Sequence, residues 1–125
     1  MQHGFNPRLI TGQQGEHQVS CWLERNGYEI IQRNYRIRAG EIDIIARKQE
    51  VVAFVEVKYR SDHYFSLSEV ITPTKQKRII RAAHFFIAQH PHLLCSYRFD
   101  VALVEHGNDV TYIENAFGET SDATR

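Results

Sequence analysis

The chain has 125 residues, 42% of them hydrophobic and 24% charged, which suits a single compact domain with its own core. Fifteen basic residues balance fifteen acidic ones, so the whole-chain field gives no pull toward nucleic acid and any such binding has to come from a local patch. No apolar run approaches the roughly 20 residues needed to cross a bilayer, and no charged-then-apolar signal opens the chain, so a soluble, cytoplasmic protein without membrane contact is expected.

Residues 1–11 show no period and read as a flexible N-terminal arm. From Gly12 to about Asn26, Val19, Trp22 and Leu23 recur at helical spacing and Gly27 supplies a stop, which predicts a first helix. Tyr28 to Ile37 reads as a strand closed by the Ala39-Gly40 turn. Glu41 to Ala46 and Val51 to Tyr59 follow as two strands, joined by the polar loop Arg47-Lys48-Gln49-Glu50 in a hairpin. A polar connection with a short helical turn is expected to Ile71. Thr72-Pro73 then opens a second helix that runs to about His90 and stops at Pro91. Tyr97 to Val104 and Val110 to Ile113 read as the last strands, and residues 118–125 as a disordered tail. Helix, three strands, helix, two strands predict an α/β or α+β sheet with helices packed against it, over residues 12–117.

Two cysteines, Cys21 and Cys95, form no C-x-x-C pair and read as reduced, partly buried residues. The seven histidines lack cysteine or acidic residues at ligand spacing, so no zinc site is expected.

The charges inside the hairpin carry the chemistry. Its two strands are fit for burial, yet they hold Glu41, Asp43, Glu56 and Lys58, and a buried charge costs several kcal/mol unless it is paired, hydrogen-bonded or bound to metal. If Ala46 faces Val51 across the loop, Asp43 lies opposite Phe54 and Glu41 opposite Glu56, and the acids project to one side. Converging carboxylates repel, a divalent cation neutralises them, and all-oxygen ligation favours Mg²⁺ or Mn²⁺. Glu16 shares the apolar stripe of the first helix with Val19 and Leu23, and Gln76 that of the second with Ile80 and Ala83, so both are expected to point inward. Lys75, Lys77, Arg78 and Arg81 form a local basic cluster, which suits a solvated helix face as well as a phosphate backbone. Asp100, between Phe99 and Val101, reads as a structural acceptor for Arg98 or a loop.

An inward Glu on the first helix, an Asp on a strand and E-x-K on the next strand resemble the PD-(D/E)XK nuclease superfamily. Taken with Gly12-x-x-Gly15-Glu16, Arg33-Asn34-Tyr35-Arg36, Gly40-Glu41-Ile42-Asp43, Phe54-Val55-Glu56-Val57-Lys58, Thr72-Pro73-x-Lys75-Gln76 and Arg98-Phe99-Asp100-Val101, the chain resembles the YraN-type family of small bacterial endonuclease-like proteins, related to Holliday-junction resolvases. The resemblance implies a restriction-endonuclease-like αβββαβ core with a mixed central sheet between helices. It also implies a metal-dependent endonuclease acting on DNA, structured or branched DNA included.

On that reading Asp43, Glu56 and the Val57 carbonyl hold Mg²⁺ with Glu16 completing the site. Gln76 joins them as a catalytic residue, and Lys75, Lys77, Arg78 and Arg81 meet the nucleic acid. An ammonium flanked by carboxylates serves better as an electrostatic clamp than as a general base, so Lys58 is read as a clamp. A homodimer would concentrate the basic residues. Two other readings stay open: a non-catalytic module binding nucleic acid or protein on the same fold, favoured by zero net charge, and a charge network that serves stability alone.

Overall fold

The structure, a computed structural model, describes residues 7–59, 71–93, 96–105 and 109–118, with side chains from residue 14 onward. Its elements are α1 (Pro7–Arg25), β1 (Glu29–Ile37), β2 (Gly40–Lys48), β3 (Val51–Tyr59), α2 (Pro73–Gln89), a 3-10 turn at Pro91–Leu93, β4 (Ser96–Val104) and β5 (Val110–Phe117). The strands form one sheet in the order β1-β2-β3-β4-β5. β3 and β4 run parallel and the other neighbours antiparallel, as the α2 crossover between them requires. The mixed sheet flanked by two helices is the α/β architecture expected.

Each helix covers one face of the sheet. Val19 and Leu23 of α1 pack on Ile44, Ala46, Ala53, Val55, Ala102 and Val104. Ile79, Ala82, Ala83 and Phe86 of α2 pack on Ile42, Ile45, Val52, Phe54, Phe99, Val101 and Leu103. β3 and β4, buried on both sides, therefore read as nearly continuous apolar runs, whereas β1 at the edge is half polar. Fully buried Phe54 anchors the α2 face, with ring centroids 6.0 Å from Phe86 and 5.7 Å from Phe99.

Four expectations change. α1 begins at Pro7, so residues 7–11, expected within the N-terminal arm, are helical; proline is well placed at a first helical position. The hairpin closes on Lys48↔Val51 through a two-residue turn, Gln49-Glu50, with Gln49 in the left-handed region at φ 54° and its carbonyl accepting Arg47 Nε–H at 3.0 Å. Ile45, not Asp43, therefore faces Phe54. That two-residue shift keeps Ile45 on the face of Phe54, but the alternation of β2 breaks between Ile42 and Ile44, so Asp43 sits at a break and not on a regular strand face. β5 runs on to Phe117 instead of stopping at Ile113, through an irregularity opposite Phe99 and Val101 where Asn115 takes φ 53°. The helical turn expected between residues 60 and 70, the tail from residue 119 and Cys95 lie outside the described residues, and Cys21 is a half-buried free thiol. No described helix is long and apolar enough to cross a membrane.

Candidate metal and phosphodiester site

The β2/β3 ladder stops at Ile44↔Val55, and the next residue along each strand is an acid, Asp43 and Glu56. In place of a strand carbonyl, Asp43 Oδ2 accepts the Val57 N–H at 2.8 Å. The two-residue alternation of β2 fails at the same point, with Ile42 and Ile45 in the core under α2 and Ile44 in the core under α1. This break turns the Asp43 carboxyl toward β3. Glu56 is only 5% exposed.

A notch opens here, lined by Gly15 and Glu16 of α1, Asp43, Glu56, Val57, Lys58 and Tyr59 of the hairpin, and Lys75 of α2. α2 reaches the notch from its first turn, where Thr72 accepts the Lys75 N–H at 3.2 Å and Pro73 follows the cap. Its backbone lies close on β2: a Cβ added at Gly40 would come within 2.2 Å of the Arg78 carbonyl oxygen. Lys75 Nζ stands 2.8 Å from Glu56 Oε2.

Burial first, then the Glu56 charge, push the Asp43 carboxyl up to about 7; the Val57 N–H opposes the rise, and Glu16 and a hydrogen bond with Glu56 contribute to it. Near neutral pH Asp43 is therefore partly protonated. Burial pulls Lys75 down, but its hydrogen bond to Glu56 and the charges of Glu56, Asp43 and Glu41 outweigh that and hold its ammonium above the usual lysine value.

Of the expected site residues, Glu16, Asp43, Glu56, Val57 and Lys58 all line the notch. Glu16 is turned partly aside, 3.6 Å from Arg33 Nη2, and Val57 meets Asp43 through its N–H. Gln76 is not brought in: its amide donates to the Ile71 carbonyl at 3.0 Å, closing the first turn of α2. Lys77, Arg78 and Arg81 are exposed, and Arg78 lines a neighbouring hollow with Glu41, Lys75 and Ile79. Lys75, expected on the basic outer surface, is instead the partner of Glu56. Helical spacing could not show this, because it locates a Cα and not the end of a four-carbon side chain. Arg33, of the Arg33-Asn34-Tyr35-Arg36 motif, supplies the charge that pairs with Glu16.

Asp100 fills the structural role expected of it, on the α1 face. It accepts Arg98 Nε–H at 3.0 and 3.1 Å, the Tyr112 hydroxyl and the Asn115 N–H at 2.8 Å, while Arg98 also donates to the Tyr28 hydroxyl.

The donor set at the notch suits a hard divalent cation: the buried Glu56 carboxyl in contact with the half-buried Asp43 carboxyl, whose proton a metal ion can replace. Among the described residues no group of three His, Cys, Asp or Glu side chains closes on one point, so Asp43 and Glu56 form the inner pair and Glu16 stands in the wall.

Related sequences share nearly the whole chain. A UPF0102 protein of Chloroherpeton thalassium is 40% identical over 125 aligned residues, covering 90% of this chain and 97% of its own. One from Alkaliphilus metalliredigens is 44% identical, covering 85% and 96%, and one from Vibrio parahaemolyticus 38%, covering 92% and 97%. Among solved structures, Hjc of Archaeoglobus fulgidus, a Holliday junction resolvase, aligns with a TM-score of 0.49 at 17% identity, over 81% of this chain and 73% of that one. The family model described as "Uncharacterised protein family UPF0102" matches residues 15–104, from the glycine in the notch wall to the end of β4, and the chain belongs to that family.

Proposed function

We propose that the protein is a metal-dependent endonuclease that hydrolyses phosphodiester bonds in DNA, structured or branched DNA among its substrates. The observation that carries this reading is the meeting of Asp43 and Glu56 at the broken end of the β2/β3 ladder, with Lys58 and Glu16 on the wall of the same notch. It fits the resemblance of Asp43 and Glu56-x-Lys58 to the PD-(D/E)XK pattern.

Asp43 and Glu56 would hold Mg²⁺ or Mn²⁺, whose chemistry is to acidify a bound water and polarise a phosphoryl oxygen. The Val57 N–H keeps Asp43 oriented, and Glu16 adds negative charge across the notch. Lys58, exposed on the rim, clamps negative charge on the phosphate as the bond breaks. Arg78, with Lys77 and Arg81 on the exposed face of α2, meets the flanking phosphates.

The test incubates purified protein with linear, branched and single-stranded DNA and with RNA, in Mg²⁺ or Mn²⁺, beside Asp43→Asn and Glu56→Gln. Cleavage that both substitutions abolish is expected. Nucleic-acid binding without metal and without cleavage would instead assign the fold to a non-catalytic binding module.

A further inference from the structure

Lys75 is oddly placed for a cation. It sits in the first turn of α2, at the positive end of the helix dipole, where anions are favoured, and that turn contains no acid. The carboxylates of the notch compensate. Its Nζ is 2.8 Å from Glu56 Oε2, and Asp43 and Glu41 add to the pull. The Glu56 side chain is 6% exposed and that of Lys75 44%, so the ammonium closes the carboxylate pair from the solvent side and has water behind it.

Lys75 also borders two hollows. One is the notch; the other is lined by Glu41, Lys75, Arg78 and Ile79, so an ammonium leaving Glu56 finds a second carboxylate at Glu41. Glu41 itself is exposed and paired with Arg36 at 3.1 Å, at a place open to water. A lysine stem with four rotatable bonds can swing between the two positions.

From this placement we infer that Lys75 is a displaceable counter-ion: it neutralises Asp43 and Glu56 while no divalent ion is bound, and swings toward Glu41 when one enters. The inference rests on the metal site proposed above. It makes Lys75 a positioning residue that sets how readily the site takes its ion, because ammonium and metal compete for the same Glu56 oxygen. Removing the ammonium exposes the carboxylate pair and tightens metal binding, whereas a residue that only contacts nucleic acid would leave metal affinity unchanged.

The test measures Mn²⁺ binding without nucleic acid, from the electron paramagnetic resonance signal of free Mn²⁺, in wild type, Lys75→Met, Lys75→Arg and Glu56→Gln. Lys75→Met is expected to bind Mn²⁺ about 10-fold more tightly than wild type, the scale of one lost charge-assisted hydrogen bond. Its melting temperature without metal should fall below that of wild type, and Mn²⁺ should raise it further than it raises wild type. Lys75→Arg keeps the charge and should bind as wild type does. Equal or weaker Mn²⁺ binding by Lys75→Met, or tighter binding by Lys75→Arg as well, overturns the counter-ion role and leaves the metal site standing. Mn²⁺ binding that Glu56→Gln does not weaken, or none in wild type and Lys75→Met alike, overturns the metal site itself and the inference with it. If Lys75→Met does not fold, Lys75→Gln, whose amide can still donate to Glu56, is read by the same criteria.

Discussion

Asp43 Oδ2 accepts the Val57 N–H at 2.8 Å, so a side chain of β2 completes a hydrogen bond that a β2 carbonyl would otherwise make. One contact does two things: it satisfies a strand N–H where the ladder ends, and it brings the Asp43 carboxyl to the strand that carries Glu56. The acids meet because the sheet opens there, and the opening is also what leaves room for the notch between α1 and α2.

The stability of the metal-free protein should fall as pH rises through the Asp43 titration. Its carboxyl is held up at about 7 in the folded chain, mainly by burial, and returns to an ordinary carboxylate value of about 4 on unfolding. Between those values the folded state binds more protons than the unfolded one, so the unfolding free energy decreases with pH there and levels off above it. Asp43→Asn keeps an oxygen for the Val57 N–H and removes the charge. In chelator, urea titrations at pH 5 and pH 8 should show the variant gaining on wild type toward pH 8, by on the order of 2 kcal/mol. A variant that is less stable than wild type at pH 8 would mean the ionised Asp43 is a net stabiliser.

Lys58 is assigned a charge, not a proton transfer. Lys58→Arg should keep cleavage within about 10-fold of wild type with an unmoved pH-rate profile, while Lys58→Met should lose about 100-fold or more in kcat. Arginine cannot serve as a base, so an inactive Lys58→Arg protein that is folded and binds metal would return Lys58 to the role of general base.

How far the sequence carried differs between fold and site. The hairpin was legible because β2 and β3 combine strong strand patterning with charges that have no place in a core. Its turn is shorter than the pattern suggests because Arg47 and Lys48 look like loop residues yet sit at a strand end, with Lys48 Nζ over the Tyr28 ring at 5.3 Å. β5 continues past Ile113 through the polar pair Glu114-Asn115, where Asn115 turns its N–H to Asp100. Gln76 met the periodicity test for an inward residue and still missed the site. Spacing along a helix cannot tell a residue that reaches a neighbouring strand from one that bonds back to its own N-terminal turn.

Gly40 is needed for the close approach of α2 to β2. A Cβ there would lie 2.2 Å from the Arg78 carbonyl oxygen and 2.8 Å from its carbon, both backbone atoms with little freedom to yield. Gly40→Ala should therefore cost about 2 to 4 kcal/mol of stability, read from the urea midpoint. Because the displaced helix carries Lys75, the Lys75 to Glu56 pairing should loosen as well. A near-neutral Gly40→Ala would show that α2 shifts on the sheet without penalty.

The Asp100 network offers the converse test, a buried charge that serves the fold alone. Asp100 is fully buried, and it gathers donors from Arg98, Tyr112 and the Asn115 backbone; burial first, then the Asp100 charge, pushes the Tyr112 hydroxyl well above its ordinary pKa. Asp100→Ala leaves the Tyr112 hydroxyl and the Asn115 N–H without their acceptor and takes the carboxylate from Arg98 Nε–H, and should destabilise the protein by about 3 to 5 kcal/mol. The network packs under α1 with Trp22 stacked on Tyr112 at 4.7 Å, whereas Glu56 meets Lys75 of α2, on the other helix. Mn²⁺ affinity, measured at a temperature where the variant is still folded, should therefore stay within about threefold of wild type while the melting temperature drops by several degrees. Loss of Mn²⁺ binding in a folded Asp100→Ala protein would show instead that the two charged clusters are coupled through β3 and β4.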